Sequence, residues 1–508
     1  MSKPIFALPA MIAILMALFW FTPTSDSSLE RNFPEGQDEK SAKKNKIDEE
    51  VDLLIERARN APPEIAADII FQLLEANYVI GPGRKIQLLE ELFDLSYNAQ
   101  HKIKLRGSID STDSRIGNLN YAYSLNLDSL SIQCRVIRLM IPIKRDRAVE
   151  LFKRVQLPDL DPLTCQDLMG YDISIYYDAL RDIVSTALTD NENKQIEVRN
   201  LIGNAISGIS SSLQFSAVAK MLATLDLTSD ELSYFVPAFV VKLKNLSSDP
   251  RSLSMSVPGA GAEIGRLAMK CRAKGVVYES ILDGYRNFLV ENMTKSLCND
   301  YSDISRLSQD VTRNTDSFND ILKEFFPEGN PRILPLKAGQ LNPKIIEQSP
   351  LIVDYTKTPS GVKLLTGIRN LNFDTNGEPR TLADKEKPAW KNELLNYYNL
   401  VNSSFREEGL SDIDNFHNKC AILGTLLQIV PQSNPKYDDI LKDYISFISQ
   451  NRTQQENVIE WLWQARVVLL RMKLTKQSPD SVLKALSDSG DELLKLIAET
   501  RMFKAKNK

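Results

Sequence analysis

Asp414, His417 and Cys420 recur at i, i+3 and i+6, a spacing that brings three side chains toward one side of a helix. A carboxylate, an imidazole and a thiol are donors for a transition metal, and a thiol beside an imidazole is the pair of a thiolate nucleophile. Zinc would need further ligands that the neighbouring sequence does not place. A plainer reading has Asp414 close a capping box opened by Ser411 and has Cys420 pack as a small core residue, and it outweighs the metal reading. A second constellation, Tyr171, Asp172, Tyr176, Tyr177 and Asp178, puts aromatic faces and carboxylates on about two helical turns,. Such groups can grip a sugar, and glycoside cleavage needs two carboxylates at a defined separation. Tyr171, Asp172 and Asp178 are therefore the candidate catalytic residues, set against ordinary packing with tyrosine hydroxyls at the rim.

Two further patterns fall short of their chemistry. Gly259, Gly261 and Gly265 resemble a nucleotide-binding glycine loop, but the third glycine is one residue late and no strand pattern precedes it,. They read better as the start of a helix whose small residues allow close packing. Asn372, Asp374, Asn376 and Gly377 match the first half of a calcium loop, yet Ala383 stands where the closing bidentate acid belongs, so a turn is expected,. No cofactor and no metal is expected.

These residues sit in a chain of 508, with hydrophobic residues at 43% and charged residues at 25%, the range of ordinary globular proteins. Lys and Arg total 62 against 66 for Asp and Glu, so no strong field favours nucleic acid, and no nucleic-acid partner is expected. Histidine is limited to His101 and His417, which excludes a three-histidine site within one chain. The five cysteines are Cys134, Cys165, Cys271, Cys298 and Cys420, with no Cys-x-x-Cys pair, so zinc ribbons and thioredoxin-type motifs have no support. Cys134 with Cys165, or Cys271 with Cys298, can pair in an oxidising compartment, and buried free thiols are the competing expectation.

The elements that must position these groups begin after an apolar run. Ile5 to Phe21 is uncharged, preceded by Lys3 and followed by Asp26 and Glu30, the form of a signal peptide or signal anchor over residues 1–24 with the body on the outer side of a membrane. Residues 25–46 are polar and read as a disordered tether. The expected location is exported, periplasmic or extracellular, with membrane attachment through residues 5–21 if the segment is not cleaved.

From Ile47 the periodicity is helical, and no alternating strand stands out. Ile65, Ile69, Ile70, Leu73 and Leu74 form one apolar face, and the Gly81-Pro82-Gly83 turn is expected to stop that helix. Leu88, Leu89, Leu92, Phe93 and Leu95 form the face of the next, so the two make an antiparallel hairpin. Further helices are expected over 115–140, 162–188, 194–208, 213–226, 229–245, 261–295 and 316–326. Near the carboxyl end they are expected over 388–408, from Ser411 to Pro431, around Tyr437 to Ile448, and over Val458 to Met472. The last of these is apolar over most of its circumference, with Glu460, Gln464 and Arg471 on a narrow polar arc,. Prolines crowd residues 327–387, which are taken as a connecting region between helical domains at 47–326 and 388–508. The fold class is all-α, consecutive antiparallel helix hairpins in an α-solenoid-like or stacked arrangement.

PPEIAADIIFQLLE near Pro62, PLTCQD at Pro162 to Asp167 and FHNKC at Phe416 to Cys420 resemble exported bacterial all-helical proteins that carry no assigned activity. The resemblance implies an all-helical exported protein and no mechanism. The expected function is a non-enzymatic scaffold with a protein or peptide partner. The alternative is an extracytoplasmic hydrolase or lyase on a toroid-like helical fold, acting on a polysaccharide.

Overall fold

Ile65, Ile69, Ile70, Leu73 and Leu74 share one helical face, as their spacing predicts, and all are buried. They belong to a computed structural model that describes residues 37–100, 121–162, 165, 172–187, 192–246, 249, 259–298, 304–341, 344–346, 358–403, 412–452, 458–474, 486 and 488–506. The chain divides into two units, one ending at Leu53 and one running from Leu54 to Lys508. What is described of the first is the helical backbone that begins at Gln37 in α1 (Gln37–Arg59), so helix reaches into the end of the stretch read as a tether. The apolar run at residues 5–21 lies outside the described residues. Among those described, no helix is long and apolar enough to cross a membrane.

The second unit is all-α. Its first hairpin is α2 (Pro63–Glu75) and α3 (Pro82–Leu95). α4 (Ser129–Met140), α6 (Ser174–Asp182), α8 (Gln214–Thr224) and α10 (Ala260–Ala273) pack successively in one row. Each is followed in sequence by one of α5 (Arg145–Arg154), α7 (Glu192–Ser207), α9 (Ser229–Asn245) and α11 (Glu279–Thr294), of which the last three pack successively in a second row. Helices two apart in sequence are neighbours in space, the arrangement of stacked helical pairs. α12 (Ile304–Phe325) meets both rows through α10 and α11.

Prolines mark residues 327–387, but the region carries structure of its own. Strand β2 (Lys344–Ile346) pairs in parallel with β1 (Ser296–Cys298), and α13 (Pro359–Asn372) and α14 (Leu382–Glu386) follow. These two short strands are the exception to the helical reading among the described residues. α15 (Pro388–Ser403), α16 (Asp412–Ile429), α17 (Lys436–Gln450), α18 (Val458–Leu474) and α19 (Glu492–Lys506) complete the chain. α13 packs on α15 and α16, α16 on α17 and α18, and α18 returns to pack on α2. Repeats of a nearest-neighbour stack touch only adjacent repeats; the α2 to α18 contact joins elements at opposite ends of the unit.

Several boundaries differ from the periodicity, each for a backbone reason. The helix expected over 261–295 is two helices, because Gly275 (φ 71°) takes the left-handed position after Lys274. Val276 N donates to Cys271 O at 2.8 Å and Gly275 N to Arg272 O at 3.2 Å, a Schellman closure. The same closure ends α2 at Asn77 (φ 57°), with Tyr78 N donating to Leu73 O at 3.0 Å, rather than at Gly81-Pro82-Gly83. Gly81 and Pro82 instead begin α3. The helix expected over 115–140 is interrupted after Tyr123 by Asn126 (φ 54°), and Asp128 starts α4 as its cap. Residues 155–162 carry no helix, and of the helix expected over 162–188 the described chain shows the part from Ser174.

Candidate functional site

His417 lies on the second turn of α16, and its ring is fully buried. Two residues of α18, 43 and 47 positions away in sequence, bracket it: Nε2 stands 2.8 Å from Glu460 Oε2, and Gln464 Nε2 donates to Nδ1 at 3.0 Å. With the amide N–H on Nδ1, the ring places its Nε2–H toward the Glu460 carboxyl group,. Glu460 and Gln464 are the polar arc of the otherwise apolar α18, and both are buried. The arc therefore faces His417 and not water. The side chain of Arg471, the third member, lies outside the described residues.

Asp414 and Cys420, the other members of the i, i+3, i+6 set, are also buried. Burial holds the Cys420 thiol well above its ordinary range, which disfavours the thiolate,. Phe416 stacks on Phe447 at 5.8 Å beside this group, and Lys419 lies over the same ring at 4.7 Å. Ser411 lies outside the described residues, so the proposed capping box does too. Among the described residues no group of three or more His, Cys, Asp and Glu is placed to hold a metal ion. What the arrangement can do is orient helices: an imidazole, a carboxylate and an amide, each hydrogen-bonded inside the core, fix the register of α16 on α18.

The second constellation separates on inspection. Asp172 precedes α6 and accepts from Ser174 N at 3.0 Å and Ser174 Oγ at 2.5 Å, an Asx-type start to the helix. Asp178 pairs with Arg181 at 2.8 Å and Lys220 at 3.3 Å. Tyr176 is buried and stacked on Phe152 at 5.2 Å, and burial pushes its hydroxyl up to about 12. Tyr177 accepts from Gln214 Nε2 at 3.0 Å, and burial raises its hydroxyl further. Tyr171 lies outside the described residues. Both carboxylates thus brace helix α6, one at its start and one toward α8.

The glycine-rich start of α10 is a packing device. A Cβ on Gly261 would sit 2.9 Å from the Tyr285 hydroxyl, and one on Gly265 would meet Ile321 at 3.7 Å. The calcium-like segment is a turn in which Asp374 Oδ1 accepts from Asn376 N and Glu378 N, both at 2.9 Å, with Gly377 at φ 83°.

Two features escaped the sequence reading. The disulfide joins Cys165 to Cys298, neither of the pairings expected; the Cα atoms are 5.1 Å apart across 133 residues of chain. Cys134, Cys271 and Cys420 are free and buried, and for Cys134 and Cys271 the reason is position, since both sit on the inward faces of helices. The other feature is the junction of α2 with α18 and α19. Arg466 donates to buried Asp68, whose second oxygen accepts from Gln72 Nε2 at 3.0 Å, and Arg501 donates to Arg466 O at 3.2 Å. Burial, with Arg466 adjacent, brings the Arg501 guanidinium down to about 10. Around this core Tyr78 meets Phe503 edge-on at 4.9 Å, and Arg57 pairs with Glu499. These partners lie about four hundred residues apart, as for Asp68 and Arg466, a distance local patterns cannot bridge.

No family model matches this chain, and no curated protein or solved structure is detectably similar to it.

Proposed function

We propose that this chain is a non-enzymatic helical scaffold, carried to the outer side of a membrane by its amino-terminal apolar run, that presents a rigid surface to a protein or peptide partner. The observation that carries the reading is the use of its chemistry-bearing side chains. Asp172, Asp178, His417 and Glu460 each brace a helix, and Cys420 is buried, which disfavours its thiolate. The Cys165 to Cys298 bridge supports an oxidising, extracytoplasmic address, because such bonds persist there and are rare in a reducing cytosol,.

The test is affinity capture with the full chain from its native envelope, alongside assay of the purified protein on envelope polysaccharides. A scaffold retains a specific protein partner and releases no product. Polysaccharide cleavage that is lost in Asp172→Asn or Asp178→Asn would overturn the proposal in favour of the hydrolase or lyase.

A further inference from the structure

Two guanidinium groups share one carboxylate where α2, α18 and α19 join. Asp68 is buried, and both of its oxygens are taken, one by Arg466 and the other by Gln72. Arg466 gives an Nη2–H to that carboxylate, while its Nε–H is buried with no acceptor among the described residues. Arg501 stands beside Arg466 and donates from Nη1 to a backbone carbonyl, Arg466 O. Among the described residues no carboxylate pairs with Arg501. Other arginines that meet these helices are paired, Arg57 with Glu492 and Glu499 of α19 and Arg135 with Glu75 of α2. Like charges set side by side repel, and burial raises the cost of each. Burial first, and Arg466 next, hold the Arg501 guanidinium below its ordinary range, and Asp68 offsets them only in part.

We propose that Arg501, with Arg466 beside it, binds a phosphate group at the junction of α2, α18 and α19. The unbalanced positive charge calls for an anion. Arg501 is half-buried, so solvent reaches it. Only one of its N–H groups is engaged among the described residues, which leaves a fork of parallel donors of the kind that grips an oxyanion at two atoms,. Lys504 lies one turn further along α19, with Nζ 3.4 Å from Gln72 Oε1, and adds a second cation on the side that meets α2. A phosphate carries more than one negative charge near neutrality and offers oxygens in several directions, so it can face a guanidinium and an ammonium together. A planar, singly charged carboxylate is used up by one fork. Bound there, the anion neutralises Arg501 and braces the contact that joins the two ends of the unit. The inference does not depend on whether the chain is a scaffold or an enzyme.

Isothermal titration calorimetry of the full chain with inorganic phosphate, at an ionic strength held constant with sodium chloride, tests it. The expected result is one saturable site, and a thermal midpoint that rises with its occupancy, as a ligand of the folded state produces. Arg501→Gln should weaken the site about tenfold or more. Arg501→Lys keeps the charge and loses the fork, so it should fall between the two, and it carries the comparison if Arg501→Gln does not fold. Phosphatidylcholine vesicles with and without phosphatidic acid separate the sources of the phosphate. Binding of the free ion assigns a soluble ligand; Arg501-dependent binding of phosphatidic acid alone assigns a lipid headgroup. Phosphate also stabilises proteins by exclusion from their surface, an effect that is not saturable and does not need Arg501. Only that effect, a site unchanged in both Arg501 variants, acetate bound as tightly as phosphate, or no Arg501-dependent binding in either arm would each overturn the inference.

Discussion

His417 ties α16 to α18 through both of its ring nitrogens. Its ring is fully buried, with Glu460 and Gln464 as the partners. Removing it should leave the buried Glu460 side chain without its partner, a change that costs about 1 to 3 kcal/mol. His417→Ala is expected to lower the urea midpoint accordingly, and Glu460→Gln, which keeps an acceptor, should lower it less. Asp128 makes a prediction with a pH sign. It is fully buried, and burial lifts its carboxyl from an ordinary 3.8 to about 6 despite the bonds from Ser131. Between those values the folded chain binds a proton that the unfolded chain has released, so this residue's contribution to stability rises as pH falls from about 6 to about 4. Asp128→Asn keeps the capping oxygen and lacks the charge. Its stability relative to the wild type should therefore be greater at pH 7 than at pH 4, by at most about 3 kcal/mol, measured by urea unfolding at the two values.

At the scale of elements, close approach is set by glycine and closed by tyrosine. Gly367 on α13 lies under the ring of Tyr397 on α15, whose hydroxyl donates to Leu364 O at 2.8 Å and whose side chain is buried. A Cβ at Gly367 overlaps that ring, and the bond to Leu364 keeps the ring from moving aside. Gly367→Ala should destabilise by about 1 to 3 kcal/mol, as overpacking does. Tyr397→Phe should lose about 1 kcal/mol and partly relieve the clash in the double variant, a non-additivity that a double-mutant cycle on thermal unfolding would detect. Apolar spacing placed both helical faces at 65–74 and 437–448 in the sequence. The Schellman closures at Asn77 and Gly275 were less legible, because a single left-handed residue ends a helix without disturbing the apolar period around it,.

Across the whole second unit, two long-range ties matter most. The Cys165 to Cys298 bridge closes 133 residues, and in the chain-entropy account a loop of that order contributes about 4 to 5 kcal/mol. Cys165→Ser with Cys298→Ser should lower the denaturation midpoint, and peptide mapping of the unreduced wild type should recover one linked pair and three free thiols. By itself the sequence determined the all-α class, the apolar faces and the scarcity of histidine, because helical period and composition are local properties. It also exposed His417 and the polar arc of α18 as separate oddities. That the arc exists to hold that ring, that Asp68 meets Arg466, and that Cys165 finds Cys298 were decided only by tertiary structure. Each pairing joins residues whose separation is set by how whole helices pack, and that packing is the sum of many weak contacts that no single stretch of sequence records.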